Sequence, residues 1–323
     1  MNQSQTRRST ISALIAAAPR ASTSGIRASI RRHPVTAYLI MAFTGLWLSL
    51  IPVLFLNAAW PYLFPFSVIG NILVFALPAF LVTAIADGEA GVRDLLGRSL
   101  SWKAGVRWYA LALLGIPAGI LLIATIYLGA APLESLGDKW TLLIMVFVSD
   151  VLMALVTVQL FEELGWTGFV QHRLQDRHGA LRASLIVALG FALIHFPTFF
   201  IGAPITGEAF LQVLLMMVPI TVFAVFLRAL ITWLYNGSGR SILIAALLHA
   251  VFNTVDDAKL TGQLVPESAV MWIPLAAVAL LAVLVTLLSR GQLAYEPEPG
   301  ATREGSAPDG TEGARRGVLQ EDS

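Results

Sequence analysis

The chain has 323 residues, 57% of them hydrophobic and 13% charged, with a net charge of +1 and a mean hydropathy of +0.75. Soluble domains carry roughly a quarter charged residues, so the composition excludes an ordinary water-soluble fold, and the near-neutral charge points to no nucleic-acid partner. The sequence contains no cysteine, which excludes disulfides, thiolate nucleophiles and Cys-ligated metals.

In chain order, residues 1–34 read as a basic, flexible arm with six arginines, suited to anionic lipid. The apolar patch Ile11 to Ala18 within it is too short and Ala-rich for a secretory signal. Eight apolar runs follow, near 36–58, 66–86, 108–130, 143–171, 183–201, 209–235, 240–257 and 270–289. A bilayer-spanning helix needs about 20 mostly apolar residues. Residues 35–290 are therefore expected to form an all-α, polytopic membrane helix bundle of about eight transmembrane helices, in the cell membrane. Between the second and third runs, Gly91 to Trp108 mixes Leu, Trp and Arg and is expected at the inner interface, with Trp102 and Trp108 at headgroup level. Residues 291–323, rich in Gly, Pro, Glu and Arg, read as a disordered tail.

Orientation follows from the Lys/Arg bias of short loops. Arginines or lysines fill the arm, the loop after the second run (Arg93, Arg98, Lys103, Arg107), the loop after the fourth (Arg173, Arg177, Arg182) and Arg240 after the sixth; the intervening loops hold only Lys139 and Lys259. Eight spans with both termini cytoplasmic satisfy every loop.

Ionisable residues inside spans are functional candidates, and here they cluster. Glu162 and Glu163 lie in Phe161-Glu-Glu-Leu-Gly-Trp-Thr-Gly-Phe169, His195 in Phe191-Ala-Leu-Ile-His195, and His249 and Asn253 in His249-Ala-Val-Phe-Asn253. Glu162 stands eleven residues before Arg173, His195 thirteen after Arg182 and His249 nine after Arg240. At about 1.5 Å per residue these are depths of roughly 16, 20 and 14 Å in a core about 30 Å thick. Three separate segments thus bring polar groups to one level.

Spacing assigns faces. His249 and Asn253 are four apart and share one helix face, as do Phe191 and His195. Glu162 and Glu163 point about 100° apart and should have different roles. Two adjacent carboxylates in a low dielectric do not both ionise easily, which suits a general base. Asp150, twelve residues outward of Glu162, reads as solvated. Arg228 reads first as a snorkelling arginine, with pairing to Glu163 as the alternative; His33, His172 and His178 read as interface residues in loops.

Glu-Glu, then Phe-x-x-x-His, then His-x-x-x-Asn on successive helices resembles the CAAX protease and bacteriocin-processing (CPBP) family of intramembrane proteases, which includes the type II CAAX prenyl endopeptidases. The likeness spans roughly residues 143–255 and includes the link Gln171 to Ser184. It implies catalytic roles for Glu162, supported by Glu163, and for His195, His249 and Asn253. The family's first motif is often written with Arg four residues after the second Glu, where this chain has Thr167; a threonine cannot neutralise Glu163.

The expected chemistry is attack of water on a peptide carbonyl of a membrane-associated protein or peptide. Glu162 would take the proton, His195 would orient the water, and His249 and Asn253 would donate to the oxyanion. No Gly-x-Ser-x-Gly element supports a serine nucleophile. A metal-free site is favoured. The alternative is a divalent metal such as zinc on Glu162, His195 and His249 with one open position, although His-Glu-x-x-His is lacking. A rival from another class is a non-proteolytic scaffold, such as a bacteriocin-immunity protein, or a transporter.

Overall fold

The computed structural model describes residues 21–56, 64–201, 206–255 and 260–297, and among these it contains helices and turns but no strand. In hydrocarbon a backbone must satisfy its own hydrogen bonds, so apolar runs of this length fold as helices. Helix α1 spans Ala21–Arg32 and α2 Pro34–Leu56. Helix α3 runs through Phe64–Asn71, a widened π turn at Ile72–Ala76, and Leu77–Ala86 without a break. Then come the amphipathic α4, Gly88–Ser99, and α5, Val106–Leu128. Helix α6 is continuous over Ala131–His178, 48 residues, about 70 Å at ~1.5 Å per residue, and so overshoots the expected 143–171 span at both ends. Helix α7 covers Ala180–Ile194 and ends in a tight 3-10 turn at Phe196–Phe200; α8 is Gly207–Gly237, α9 Ile242–Val255 and α10 Trp272–Leu288.

Seven described segments are long and apolar enough to cross a membrane. This is a multi-pass membrane protein. The eighth expected span differs in kind: α9 has 14 residues, about 21 Å. Apart from Leu243 and Asn253 its residues are buried, since it packs against α5, α6 and α8. A helix that is apolar all round belongs inside the protein, and a helix shielded from lipid need not match the bilayer's thickness. Beyond it the chain reaches the far end of the bundle, where Gln263 Oε1 accepts from Lys139 Nζ at the start of α6 (3.1 Å).

The loops expected to be basic meet at one end. Arg31 Nε donates to Ile85 O (2.9 Å), Ser241 Oγ to Ser101 O (2.6 Å) and Tyr295 Oη to Asp176 Oδ1 (2.7 Å), while Arg173 pairs with Asp87. Residues 21–34 and 289–297 therefore share that end, as an even number of crossings requires. The positive-inside bias predicts that it faces the cytoplasm. A reporter fused after Arg290 should read out as cytoplasmic, and an extracytoplasmic readout would overturn the orientation.

Several expectations change. Residues 21–32, expected within a flexible arm, are the helix α1. The start of the expected tail is docked, with Leu293 fully buried and its carbonyl accepting from Asn236 Nδ2 (3.0 Å). The Ile11–Ala18 patch and residues 298–323 lie outside the described residues. Trp102 is 65% exposed, as an interface anchor should be, but Trp108 is 8% exposed. Trp108 packs edge-on to Trp233 (5.2 Å) and over Gly237, where a Cβ would meet the indole at 2.2 Å. Its partner is a missing side chain on α8, which no hydropathy pattern displays. His172 sits within continuous α6, not in a loop, with Nδ1 3.2 Å from Tyr235 Oη. Asp150, expected to be solvated, is half-buried beside Ser149 Oγ at 3.3 Å.

Candidate active site

Glu162 and Glu163 occupy the single α turn Leu160–Glu163, set between widened π turns at Leu155–Gln159 and Leu164–Gln171. A π turn fits an extra residue and so rotates everything beyond it; such turns are frequent at functional sites. Every residue from Glu162 to Gln171 is buried. Two glycines permit close approach: a Cβ on Gly165 would meet Tyr38 Oη at 1.8 Å, and one on Gly168 would meet Ile242 Cδ1 at 2.4 Å. Side chains from α4 and α6 brace the second π turn, with Arg98 Nη1 donating to Gly168 O (2.9 Å) and Arg173 Nη1 to Phe169 O (3.3 Å).

The two glutamates part company, as their 100° offset requires. Glu163 is fully buried and faces Arg228 of α8, whose side chain is 1% exposed. The guanidinium grips it in a fork, Nη1 to Oε2 and Nη2 to Oε1, each at 2.8 Å. Thr167 Oγ1, one turn along α6, also donates to Oε2, and His249 Nδ1 lies 2.7 Å from Oε1. A carboxylate offers about four lone-pair sites, and Glu163 has four donors. The snorkelling reading of Arg228 is thus overturned and the pairing alternative holds: a planar fork matches a carboxylate better than a lone guanidinium suits hydrocarbon. Removing either partner alone should cost about 3–5 kcal/mol of stability, because it leaves a buried charge uncompensated.

Glu162 is different. It is buried, its Oε2 stands 3.9 Å from His249 Nδ1, and no described side chain donates a normal hydrogen bond to it. It is a carboxylate with its acceptor capacity unspent. His249, 1% exposed, is carried by the encased α9. His195 is half-buried at the point where α7 gives way to the 3-10 turn, and its Nδ1 lies 2.7 Å from Phe191 O. A carbonyl only accepts, so that nitrogen carries the proton and Nε2 is left with a lone pair.

Phe191 links the parts. Its ring stacks obliquely with His195 (4.7 Å), meets His249 edge-on (5.5 Å) and Trp166 edge-on (5.9 Å), and carries the Arg228 guanidinium on its face (4.4 Å). The apolar neighbour expected for His195 is therefore shared by both histidines. Asn253 lies one turn beyond His249 and is exposed. The structure brings Glu162, Glu163 and His249 together, joins His195 to them through Phe191, and leaves Asn253 exposed one turn from His249. Sequence reading missed Phe191 as the hub and Thr167 as a donor; the i, i+4 spacing of Glu163 and Thr167 is the signal that could have shown the second.

Among the described residues no group of three His, Asp or Glu side chains is placed to hold a metal ion. Glu162, His195 and His249 do not form such a group, and Glu163 is fully engaged.

Residues 140–255 match the family model for type II CAAX prenyl endopeptidases, Rce1-like. That stretch is similar to the Rce1-like family. It contains every residue of the cluster, from Glu162 to Asn253, and bears out the family resemblance. Over 132 residues the chain is 28% identical to CAAX prenyl protease 2 of Methanococcus maripaludis, covering 40% of this chain and 49% of that protein. The chain thus spans about half the length of the curated relative it matches. The Rce1-like stretch starts in α6 and ends with α9, so α1 to α5 and α10 frame it from outside the match.

Proposed function

We propose that this protein is an intramembrane endopeptidase, hydrolysing a peptide bond of a membrane-associated protein or peptide at Glu162. The observation that supports this most directly is a buried carboxylate with unspent acceptor capacity, 3.9 Å from His249 Nδ1, with His195 joined to the same cluster through the Phe191 ring. Water placed there can donate one hydrogen to Glu162 and the other to His195 Nε2, leaving an oxygen lone pair for the peptide carbonyl. Glu162 takes the proton as the C–O bond forms. The Asn253 amide donates to the developing oxyanion, and so does His249 Nε2 when it carries a proton, its Nδ1 side being balanced by Glu163. Collapse breaks the C–N bond, and Glu162 returns the proton to the leaving nitrogen. A dry site makes each of these preorganised donors count for more than in water.

The name of the Methanococcus relative puts prenylated CAAX ends first among substrates to try. The test compares membrane proteomes of wild type and Glu162→Gln cells. An uncleaved membrane-associated protein should accumulate in the variant, and identical proteomes would favour a non-proteolytic scaffold. Chelator applied to the purified protein in liposomes should leave cleavage intact; loss restored by one divalent metal would replace the metal-free route.

A further inference from the structure

At the end of the bundle where residues 21–34 and 289–297 meet, a cavity of about 700 Å³ lies between the α6–α7 junction and the docked tail. It stands apart from the candidate active site. Arg177 on its wall is fifteen residues along α6 from Glu162, about 22 Å at 1.5 Å per residue. Arg177, Arg182 and Arg290 line the cavity and are exposed. None of them makes an ion pair or side-chain hydrogen bond among the described residues. Two carboxylates share the wall, Asp176 and Glu296, and Asp176 already accepts from Tyr295 Oη (2.7 Å). Positive charge is therefore in excess. Arginines near a membrane surface serve orientation in many proteins, but Arg290 is placed at a cost. Four non-glycine residues among those described have positive φ, and three lie in this tail: Arg290 (50°), Leu293 (47°) and Ala294 (55°). Left-handed backbone is unfavourable for residues with a Cβ and persists where the surroundings fix it, as at ligand clamps. A second cavity, of about 470 Å³, adjoins the first and shares Arg290 and Gln292 with it. Trp233, Val285 and Leu288 give it an apolar lining. Leu287 and Leu288 are 69% and 84% exposed, as lipid-facing residues are.

We propose that the paired cavities bind one anionic phospholipid. Its phosphate is held by Arg177, Arg182 and Arg290, and an acyl chain lies against Trp233, Val285 and Leu288. Guanidinium forks match phosphate oxygens. The start of α7, which has no side-chain cap, adds partial positive charge at Ala180 on the same wall. A polar and an apolar hollow that meet at one arginine suit an amphiphile with a negative head. A soluble phosphate ester offers the same head but nothing for the apolar hollow. The inference stands independently of the endopeptidase reading.

The test is native mass spectrometry of the full chain released from detergent micelles, titrated with phosphatidylglycerol, phosphatidylcholine or glycerol 3-phosphate. One phosphatidylglycerol should remain bound per chain at concentrations where phosphatidylcholine does not. Arg182→Gln/Arg290→Gln should weaken that binding by about tenfold or more, as the loss of charged hydrogen-bond donors requires. Arg93→Gln removes an exposed arginine of α4 outside the cavity and should change binding by less than about twofold. If the double variant does not fold, Arg182→Gln and Arg290→Gln singly decide by the same comparison, each expected to lose about threefold or more. Equal retention of the two lipids, wild-type binding by the folded variants, or an equal loss in Arg93→Gln overturns the proposal, leaving only a diffuse basic surface. Glycerol 3-phosphate bound as tightly as the lipid would overturn the lipid source and assign the cavity to a soluble phosphate ester.

Discussion

Glu162→Gln is expected to lower kcat by about 10²–10⁴-fold, the range that a positioned general base contributes, while changing the unfolding free energy far less than the loss of Glu163 or Arg228 would. The substitution keeps the side chain's size and removes its basicity. The stability expectation follows from the site: Glu162 accepts no normal hydrogen bond from described side chains and makes no close ion pair, with His249 Nδ1 standing 3.9 Å away. The neighbouring Glu163→Gln should behave oppositely, losing stability through the abandoned Arg228. His195→Ala and His249→Ala should also cut cleavage steeply. Asn253→Ala should cost about 2.7–4 kcal/mol at most, the value of one oxyanion donor, because its exposed amide can be partly replaced by water at the rim. Near-normal cleavage by folded Glu162→Gln would show that another group is the base.

Gly165→Ala should be among the most destabilising single-methyl changes in the protein. The added Cβ would stand 1.8 Å from Tyr38 Oη and 2.8 Å from Cζ, both below any tolerable contact. The tyrosine has little freedom to yield, being fully buried and packed on Phe169 (4.9 Å) and Trp166 (6.5 Å). Overpacking commonly costs 1–3 kcal/mol and can cost more; about 3 kcal/mol is expected here. The same residue offers an internal check. Tyr38 Oη is buried with no hydrogen-bond partner among the described residues, so Tyr38→Phe alone should be neutral or slightly stabilising. Added to Gly165→Ala it removes the worst clash and should recover part of the loss, giving a coupling of at least about 1 kcal/mol. Unfolding in detergent micelles measures all three. A Gly165→Ala protein as stable as wild type would mean that α2 does not press on the π turn as described.

The membrane bundle, the approximate spans and the order of the polar motifs were legible in the sequence, because transfer free energy sums along a window and needs no knowledge of neighbours. The same holds for the shared depth of Glu162, His195 and His249, and for the i, i+4 faces joining Phe191 to His195 and His249 to Asn253. What lies around a helix, rather than along it, was decided by packing. Depth placed Arg228 level with Glu163 but could not say that α8 turns its guanidinium inward, so the sequence alone favours the snorkelling reading that the fork overturns. Trp108 looked like an interface anchor because Gly237, the residue that makes room for it, is silent in any hydropathy profile. The 240–257 run read as a full span, since apolarity that meets protein on every side is indistinguishable in sequence from apolarity that meets lipid. The second π turn, just beyond the two glutamates, is likewise met by residues from elsewhere in the chain: Arg98, Tyr38 and Ile242 reach it. The residue types of the site thus belong to the sequence alone. Which glutamate is free to react, and which is held to orient a histidine, depended on the rotation of helices about their axes, a degree of freedom set only when their side chains interlock.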